Sequence, residues 1–287
     1  MIIYLNGHFM PIEHAQISVL DRGFIFGDGV YEVIPVYSRH AFRLQEHLER
    51  LQHSLDGVRI PNPYTNNAWI SILQELIKRN SPDDQSLYIH ITRGIAQRDL
   101  AFPDSSVSPT VFLMSCPLTS PSQELLKIGA HAITAIDNRW LRCDIKSISL
   151  LPNVLLRQLA ADADRTETLL FREDTFLTEG TASNIFMVKN DVLLAPPKDH
   201  LMLPGITYDV VLELARSQNI PYQIRRIRKD EVFSADELLM CSSTKEVIPI
   251  TKLDNQTIGN GFPGPVVNKL RLLYQSYKNE TMRSSEC

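Results

Sequence analysis

Lys146 is the residue of this chain best placed to act as a nucleophile. It lies in the run Trp140-Leu141-Arg142-Cys143-Asp144-Ile145-Lys146-Ser147-Ile148-Ser149-Leu150-Leu151-Pro152. An amine partly withdrawn from water loses part of its preference for the charged form and attacks carbonyl carbon. The plain alternative is a solvated surface lysine. Mostly apolar flanks, and no nearby acid at helical salt-bridge spacing, weigh against it. A second candidate is Glu179, in Leu177-Thr178-Glu179-Gly180-Thr181-Ala182-Ser183-Asn184-Ile185-Phe186. This acid stands between two expected strands with small residues after it; an exposed turn glutamate is the other reading. Third, Leu203-Pro204-Gly205-Ile206-Thr207-Tyr208-Asp209 opens a helix. Free backbone N–H groups there, with a threonine hydroxyl, make an anion site, although a simple N-cap is common. Ser242-Ser243-Thr244 adds further hydroxyls.

The elements around these groups are readable from periodicity. Ala130 to Ile136 is an apolar, partly alternating strand, and Leu151, Leu155 and Leu159 recur at helical spacing with Pro152 tolerated in the first turn. Lys146 is thus expected between a polar strand exit and a new helix. Upstream, Ile2 to Leu5, Asn6-Gly7 and His8 to Met10 read as a hairpin. Residues 17–20 read as a short buried segment. The run Asp21-Arg22-Gly23-Phe24-Ile25-Phe26-Gly27-Asp28-Gly29 has glycines too close together for a regular helix, and they let backbone turn tightly under a ligand. It is not a dinucleotide fingerprint. A strand, residues 30–37, follows. Residues 42–55 form an amphipathic helix with Leu44, Leu48, Leu51 and Leu55 on one face. On it Glu46 and Arg50 stand four apart and suit a surface ion pair. A second helix covers residues 65–78. Residues 87–94 and 110–115 are strands flanking a loop that carries Arg98 and Leu100. Residues 117–122 are turn-rich and mark a boundary.

In the second half, residues 169–172, 176–178, 184–188 and 192–195 are short strands. A helix begins near Thr207 with Val210, Val211, Leu214 and Ala215 inward. Residues 222–228 and 237–242 are further strand, and the basic run Arg225-Arg226-Ile227-Arg228-Lys229 reads as a solvated strand face. Residues 266–277 are a helix, and the last residues are expected to be loose.

At 287 residues, 44% hydrophobic and 22% charged, the chain suits one large or two medium domains. A net charge of -4 argues against broad binding to nucleic acid. The four cysteines, Cys116, Cys143, Cys241 and Cys287, form no CxxC pair and fit reduced thiols in a cytoplasmic protein. Neither a signal peptide nor a membrane-spanning run is expected.

The run Asp137 to Ser147 is similar to the Schiff-base lysine region of D-amino acid transaminases, a branch of the fold-type IV enzymes that use pyridoxal 5'-phosphate. Other motifs, out to about residue 251, agree in order and spacing. The resemblance implies an α+β fold of two domains: a smaller N-terminal α+β domain (1–118), a linker (119–122), and a larger β-barrel-like domain with helices (123–287) carrying Lys146. It implies Lys146 as the catalytic base and cofactor anchor, and Glu179 as partner of the pyridine nitrogen. Ser183 and Asn184 would flank the cofactor and Leu203 would pack on its ring. Arg50, Ile206, Thr207, Ser242 and Ser243 would hold its phosphate. Tyr31 and Thr244 would face the substrate. D-amino acid transaminases trap the substrate α-carboxylate with an Arg-x-His pair. Here Arg98 is present, but Leu100 stands at the histidine position. If the loop is extended, both point the same way, offering one guanidinium and an apolar wall.

The implied reaction passes an amino group from a D-amino acid such as D-alanine to a 2-oxo acid such as 2-oxoglutarate, by a ping-pong route. The implied assembly is a homodimer in which the Arg98 loop reaches the neighbouring active site. No metal, nucleic acid or membrane partner is expected. Three activities of the same fold stand as alternatives: cleavage of aminodeoxychorismate to 4-aminobenzoate and pyruvate, transamination of branched-chain L-amino acids, and transamination of (R)-amines. A non-catalytic cofactor-binding protein is a further one, which the pairing of Lys146 with Glu179 disfavours.

Overall fold

A computed structural model describes residues 1–283; Cys287, and the expected loose end from residue 284 on, lie outside the described residues. The chain divides into two compact units. The first comprises Met1–Thr119 together with Ile145–Leu150, and the second Ser120–Asp144 and Leu151 onward. Lys146 therefore belongs to the first unit, whereas a single break at 119–122 assigns it to the later part.

The first unit contains β1 (Ile2–Leu5), β2 (His8–Pro11), α1 (Arg22–Phe26), β3 (Gly29–Tyr37), β4 (His40–Ala41), α2 (Leu44–Val58), α3 (Asn66–Arg79), β5 (Gln85–Thr92) and β6 (Thr110–Pro117). Its antiparallel sheet has the order β2-β1-β6-β5-β3-β4. The β1–β2 turn places Asn6 and Gly7 at positive φ, as a two-residue hairpin turn requires. Alternation then sorts the side chains. Val30, Ile34, Val36, Leu87, Ile89, Ile91, Val111 and Leu113 fill one face. Leu48, Leu51 and Leu55 of α2 and Trp69, Leu73, Leu76 and Ile77 of α3 cover it. Each such leucine contributes roughly 1.5–3 kcal/mol by burial. Thr65 caps α3 by accepting from the Ala68 N–H at 3.3 Å, and Lys78 and Arg79 close its last turn, where cations suit the helix dipole. Two expectations fail here. Residues 17–20 are not buried: Ile17, Val19 and Leu20 are all exposed, because no second layer lies over them within the unit. A five-residue helix, α1, does form among the glycines, capped by Gly27 in the left-handed region.

The second unit contains α4 (Gln123–Ile128), β7 (Ala130–Ile136), α5 (Leu151–Asp162), β8 (Glu167–Arg172), β9 (Phe176–Gly180), β10 (Asn184–Lys189), β11 (Val192–Ala195), α6 (Ile206–Ser217), β12 (Tyr222–Ile224), α7 (Lys229–Phe233), β13 (Glu237–Ser242), β14 (Glu246–Leu253), β15 (Gln256–Thr257) and α8 (Pro265–Met282). Its sheet runs β12-β11-β10-β13-β14-β7-β8-β9, with β15 on β14. β7 and β8 are parallel, so a crossover is obligatory, and α5 supplies it. Residues 181–183 alone join the terminal strand β9 to β10, deep in the strand order. So short a connection obliges the sheet to curl, as the barrel-like expectation requires. The core holds Leu169, Phe171, Ile185, Met187, Met240 and Ile248 among others.

Three local readings change. On α5 the buried residues are Leu156 and Ala160, whereas Leu151, Leu155 and Leu159 are exposed; the apolar stripe turns away from the sheet. The basic run is not strand beyond Ile224. It is a loop entering α7 whose charges pair locally: Arg225 with Glu231, Arg228 with Asp230 and Lys229 with Asp174. Strand β14 carries no expectation from sequence, because Pro249 in its middle speaks against a strand. Among the described residues no helix is long and apolar enough to cross a membrane, and no side-chain group suits a metal ion.

Candidate active site

Residues 145–150 lie along β3. The Tyr31 N–H donates to the Lys146 carbonyl at 2.9 Å, the Ile148 N–H to the Gly29 carbonyl at 3.1 Å, and the Lys146 N–H to Ser54 Oγ at 3.1 Å. Gly29 permits this approach. A Cβ there would meet the Ile91 carbonyl oxygen at 2.4 Å and Ile148 Cδ1 at 2.9 Å. The lysine backbone is thus fixed as an added strand-like edge, not by the flanking strand and helix alone. Its side chain is half-buried. Its Nζ stands 4.3 Å from the centroid of the Tyr31 ring and makes no ion pair among the described residues.

Beneath this amine lies a buried triad that the sequence reading missed. Glu32 accepts from Arg50 Nε at 3.0 Å and Nη2 at 2.6 Å, and its Oε1 lies 3.0 Å from His47 Nδ1. Arg50 is therefore not the surface partner of Glu46, which pairs with Arg43 at 2.8 Å. Burial alone would raise the Glu32 carboxyl. Arg50 and His47 overcome this and hold it well below the usual carboxylate range, while burial holds His47 below its ordinary value. A signal was present: Glu32 shares its parity on β3 with Val30, Ile34 and Val36. A carboxylate on a core-facing position must have partners.

The Arg98 loop bends at Arg98 and Leu100, so regular extended alternation does not apply. The Arg98 guanidinium lies 5.5 Å from the Phe26 ring centroid, and Leu100 is 81% exposed.

In the second unit Glu179 is buried at the end of β9. Its Oε1 accepts from Arg139 Nη1 at 2.7 Å, and its Oε2 from the Leu203 N–H at 3.3 Å and Asn184 Nδ2 at 3.4 Å. Burial raises its carboxyl, and Arg139 opposes the rise. Asn184 also donates to the Leu203 carbonyl at 3.0 Å. Leu203 is thereby tied to Glu179 along both edges of its backbone. Ser183 Oγ donates to Glu167 Oε2 at 2.8 Å, so this hydroxyl fastens the turn after Glu179. Gly205 caps α6 without a side-chain oxygen, which leaves the first-turn N–H groups of Ile206 and Thr207 for an external acceptor. A Cβ at Gly205 would stand 1.9 Å from Asn184 Oδ1. Ser242 ends β13, Ser243 and Thr244 follow it, and all three are half-buried. The Ser242 Oγ accepts from the Lys245 N–H at 3.2 Å. Cys143, although close to Lys146 in sequence, is no nucleophile: burial pushes its thiol up to about 11.

Each unit is thus furnished for one part of the expected chemistry. The first sets Lys146, on the segment 145–150, beside Tyr31 of β3 and pairs Arg50 of α2 with Glu32 of β3; the second brings Glu179, Asn184, Leu203 and the α6 N-terminus together.

Comparison with known proteins matches residues 29–253 to the class IV amino-transferase family model. A D-alanine aminotransferase of Bacillus licheniformis is 40% identical over 285 residues, covering 99% of this chain and 100% of that one. One from Staphylococcus epidermidis is 36% identical over 275 residues, covering 96% and 97%. Among solved structures, a T.th. branched-chain amino acid aminotransferase with pyridoxamine 5'-phosphate aligns at TM-score 0.90 and 28% identity, covering 99% of this chain and 95% of that one. The Escherichia coli branched-chain enzyme aligns at TM-score 0.91 and 24% identity, covering 99% and 97%; at that identity the likeness speaks for the fold alone.

Proposed function

This chain belongs to the class IV aminotransferases, and from that premise we propose that it moves an amino group from a D-amino acid such as D-alanine to a 2-oxo acid such as 2-oxoglutarate, with pyridoxal 5'-phosphate as cofactor. The observation that carries the reading is the half-buried Lys146 amine beside Tyr31, with no carboxylate paired to it among the described residues. The donor class rests on full-length similarity to D-alanine aminotransferases. That similarity also weighs against the lyase, branched-chain and (R)-amine alternatives.

The residues suit the cofactor. An uncapped twelve-residue helix whose glycine cap cannot take a side chain fits a phosphate. A buried carboxylate fits a protonated ring nitrogen. When bound, the cofactor supplies an aldehyde and an electron-withdrawing ring. Lys146 would anchor the aldehyde carbon and, once released, carry the proton of the substrate α-carbon. Glu179 would hold the proton of the ring nitrogen, and Asn184 would orient Leu203 against the ring. Arg50, the N–H groups of Ile206 and Thr207, and the Ser243 hydroxyl would hold the phosphate. Ser183 would steady the Glu179 turn through Glu167, and Ser242 would steady the hydroxyl run. Tyr31, Thr244, Arg98 and Leu100 would line the substrate side. One lysine serves both half-reactions, so donor and acceptor would take turns. We read the assembly as a homodimer, with the Arg98 loop serving the neighbouring subunit, in a reducing, cytoplasmic setting that fits the free thiols of Cys116, Cys143 and Cys241.

The test is direct. Purified protein with pyridoxal 5'-phosphate, D-alanine and 2-oxoglutarate should yield pyruvate and D-glutamate over many turnovers, and Lys146→Ala should not. Pyruvate release from aminodeoxychorismate without an acceptor, with no transfer from D-alanine, would overturn the reading.

A further inference from the structure

Residues 97–102 are all exposed, so the segment that carries Arg98 and Leu100 has no burial of its own to fix it. Side-chain contacts hold it. Arg22 Nη1 donates to the Asp99 carbonyl at 2.5 Å, at the middle residue of Arg98-Asp99-Leu100. The guanidiniums of Arg22 and Arg98 both stand against the Phe26 ring, at 4.8 and 5.5 Å from its centroid. The Phe102 ring centroid lies 3.8 Å from the Arg93 guanidinium carbon.

These contacts converge on Asp28. Its Oδ2 accepts from Arg22 Nε and from Arg93 Nε, each at 2.8 Å, and its Oδ1 accepts from Arg93 Nη2 at 2.9 Å. Its carbonyl takes the Arg93 N–H at 3.1 Å. The Arg22 and Arg93 side chains are only 4% and 9% exposed, and a buried guanidinium needs a counter-charge. Asp28 supplies it to both. Arg93 is fixed further by the Val58 and Arg59 carbonyls at the end of α2, at 2.7 and 2.9 Å. Arg22 thus reaches the loop backbone with Nη1 while its Nε stays on Asp28, and Arg93 offers its plane to Phe102.

We propose that Asp28 is a positioning residue: through Arg22 and Arg93 it seats the Arg98 loop and so sets the affinity for the donor amino acid, without touching substrate. This rests on the transaminase reading above, with that loop on the substrate side. A carboxylate that grips two arginines leaves each plane in one orientation, which a neutral side chain does not. An exposed loop tied at its middle peptide follows any turn of Arg22.

The experiment is a double-mutant cycle on KM for D-alanine at saturating 2-oxoglutarate. Asp28→Asn keeps the size but turns one acceptor into a donor facing a guanidinium. It should raise KM at least about fivefold and change kcat by less than about threefold, the pattern of lost binding and not of lost chemistry. Asp28→Glu, which keeps the charge, should lie closer to the unaltered enzyme. Arg98→Ala should also raise KM, and adding Asp28→Asn to it should raise KM by less than about twofold more, because residues that act through one another are not additive. Should Asp28→Asn fail to fold, Arg22→Lys carries the same cycle: a point charge cannot serve the carboxylate and the Asp99 carbonyl as the planar fork does. An unchanged KM in the folded variant, an unchanged KM in Arg98→Ala, a fall in kcat as large as the rise in KM, or full multiplication of the two KM effects would each overturn the assignment. Failure of the unaltered enzyme to turn over D-alanine would overturn the transaminase reading itself, a result separable from an altered KM.

Discussion

Arg139 donates to Glu179 from Nη1 at 2.7 Å while its Nε and Nη2 grip the two oxygens of Asp137 at 2.9 Å each. One guanidinium thus serves two buried carboxylates, one at the exit of β7 and one at the end of β9. Thr178 Oγ completes the arrangement by donating to Asp137 at 2.8 Å. The carboxylates hold the Arg139 guanidinium firmly in its charged form against the cost of burial.

Arg139→Leu would leave both acids without that cation. Loss of one partner from a buried pair costs about 3–5 kcal/mol. Denaturant unfolding should show a loss of this size, with cofactor affinity falling alongside. A loss below about 1 kcal/mol would mean that the cluster is solvated in solution.

Glu179→Gln keeps the shape and removes the charge. The variant should still take up pyridoxal 5'-phosphate, yet remove the α-proton of D-alanine at least about tenfold more slowly, because a neutral ring nitrogen is a poorer electron sink. Rapid-mixing absorbance of the cofactor reads this step. An unchanged rate would remove Glu179 from the role of nitrogen partner.

Leu100→His restores a second donor beside Arg98. A charge-assisted hydrogen bond contributes about 1.5–3 kcal/mol, so KM for D-alanine should fall by at least about tenfold. KM is measured at constant acceptor. No change would mean that the loop does not approach the donor's carboxylate.

The Glu32–His47–Arg50 triad predicts acid sensitivity. His47 has a lower pKa folded than unfolded, so the unfolded chain binds the proton more readily. Its contribution to stability is whole above the unfolded histidine value, about 6.5, and declines as pH falls below it. Glu32 is likewise lowered on folding. Its contribution is present above the unfolded carboxylate value, about 4.3, and is lost only as pH falls through its much lower folded value. Tm should therefore drop in two stages on acidification. His47→Gln should flatten part of the upper stage; His90 and His131, also lowered by burial, retain their share. Equal Tm profiles for the two proteins between about pH 7.5 and 5.5 would contradict the buried placement of His47.

Much of the scaffold was legible in the sequence because burial imposes a period. Strand β7 and the helix after Leu151 follow from spacing, and β3 follows from Val30, Ile34 and Val36. Glu32 was legible in principle, as an acid on a core-facing parity. The direction of the α5 stripe was not, since Leu151, Leu155 and Leu159 form as good a helical face as Leu156 and Ala160. Which face meets the sheet depends on how the crossover lands. Residues 17–20 failed for a related reason: apolar character does not say whether a second layer exists to cover it.

By itself the sequence determined the chemistry available: one amine, one acid, a helix-opening glycine-isoleucine-threonine and an arginine at helical spacing. It also determined the elements that bear them, because hydrophobic alternation and turn residues act locally. Only the tertiary structure decided the partners. Arg50 meets Glu32 and not Glu46, Glu179 meets Arg139, and Tyr31 sits opposite His90 with the Lys146 amine over its ring. Such pairings depend on strand register and on which buried charges must neutralise one another across long stretches of chain, and no local spacing encodes either.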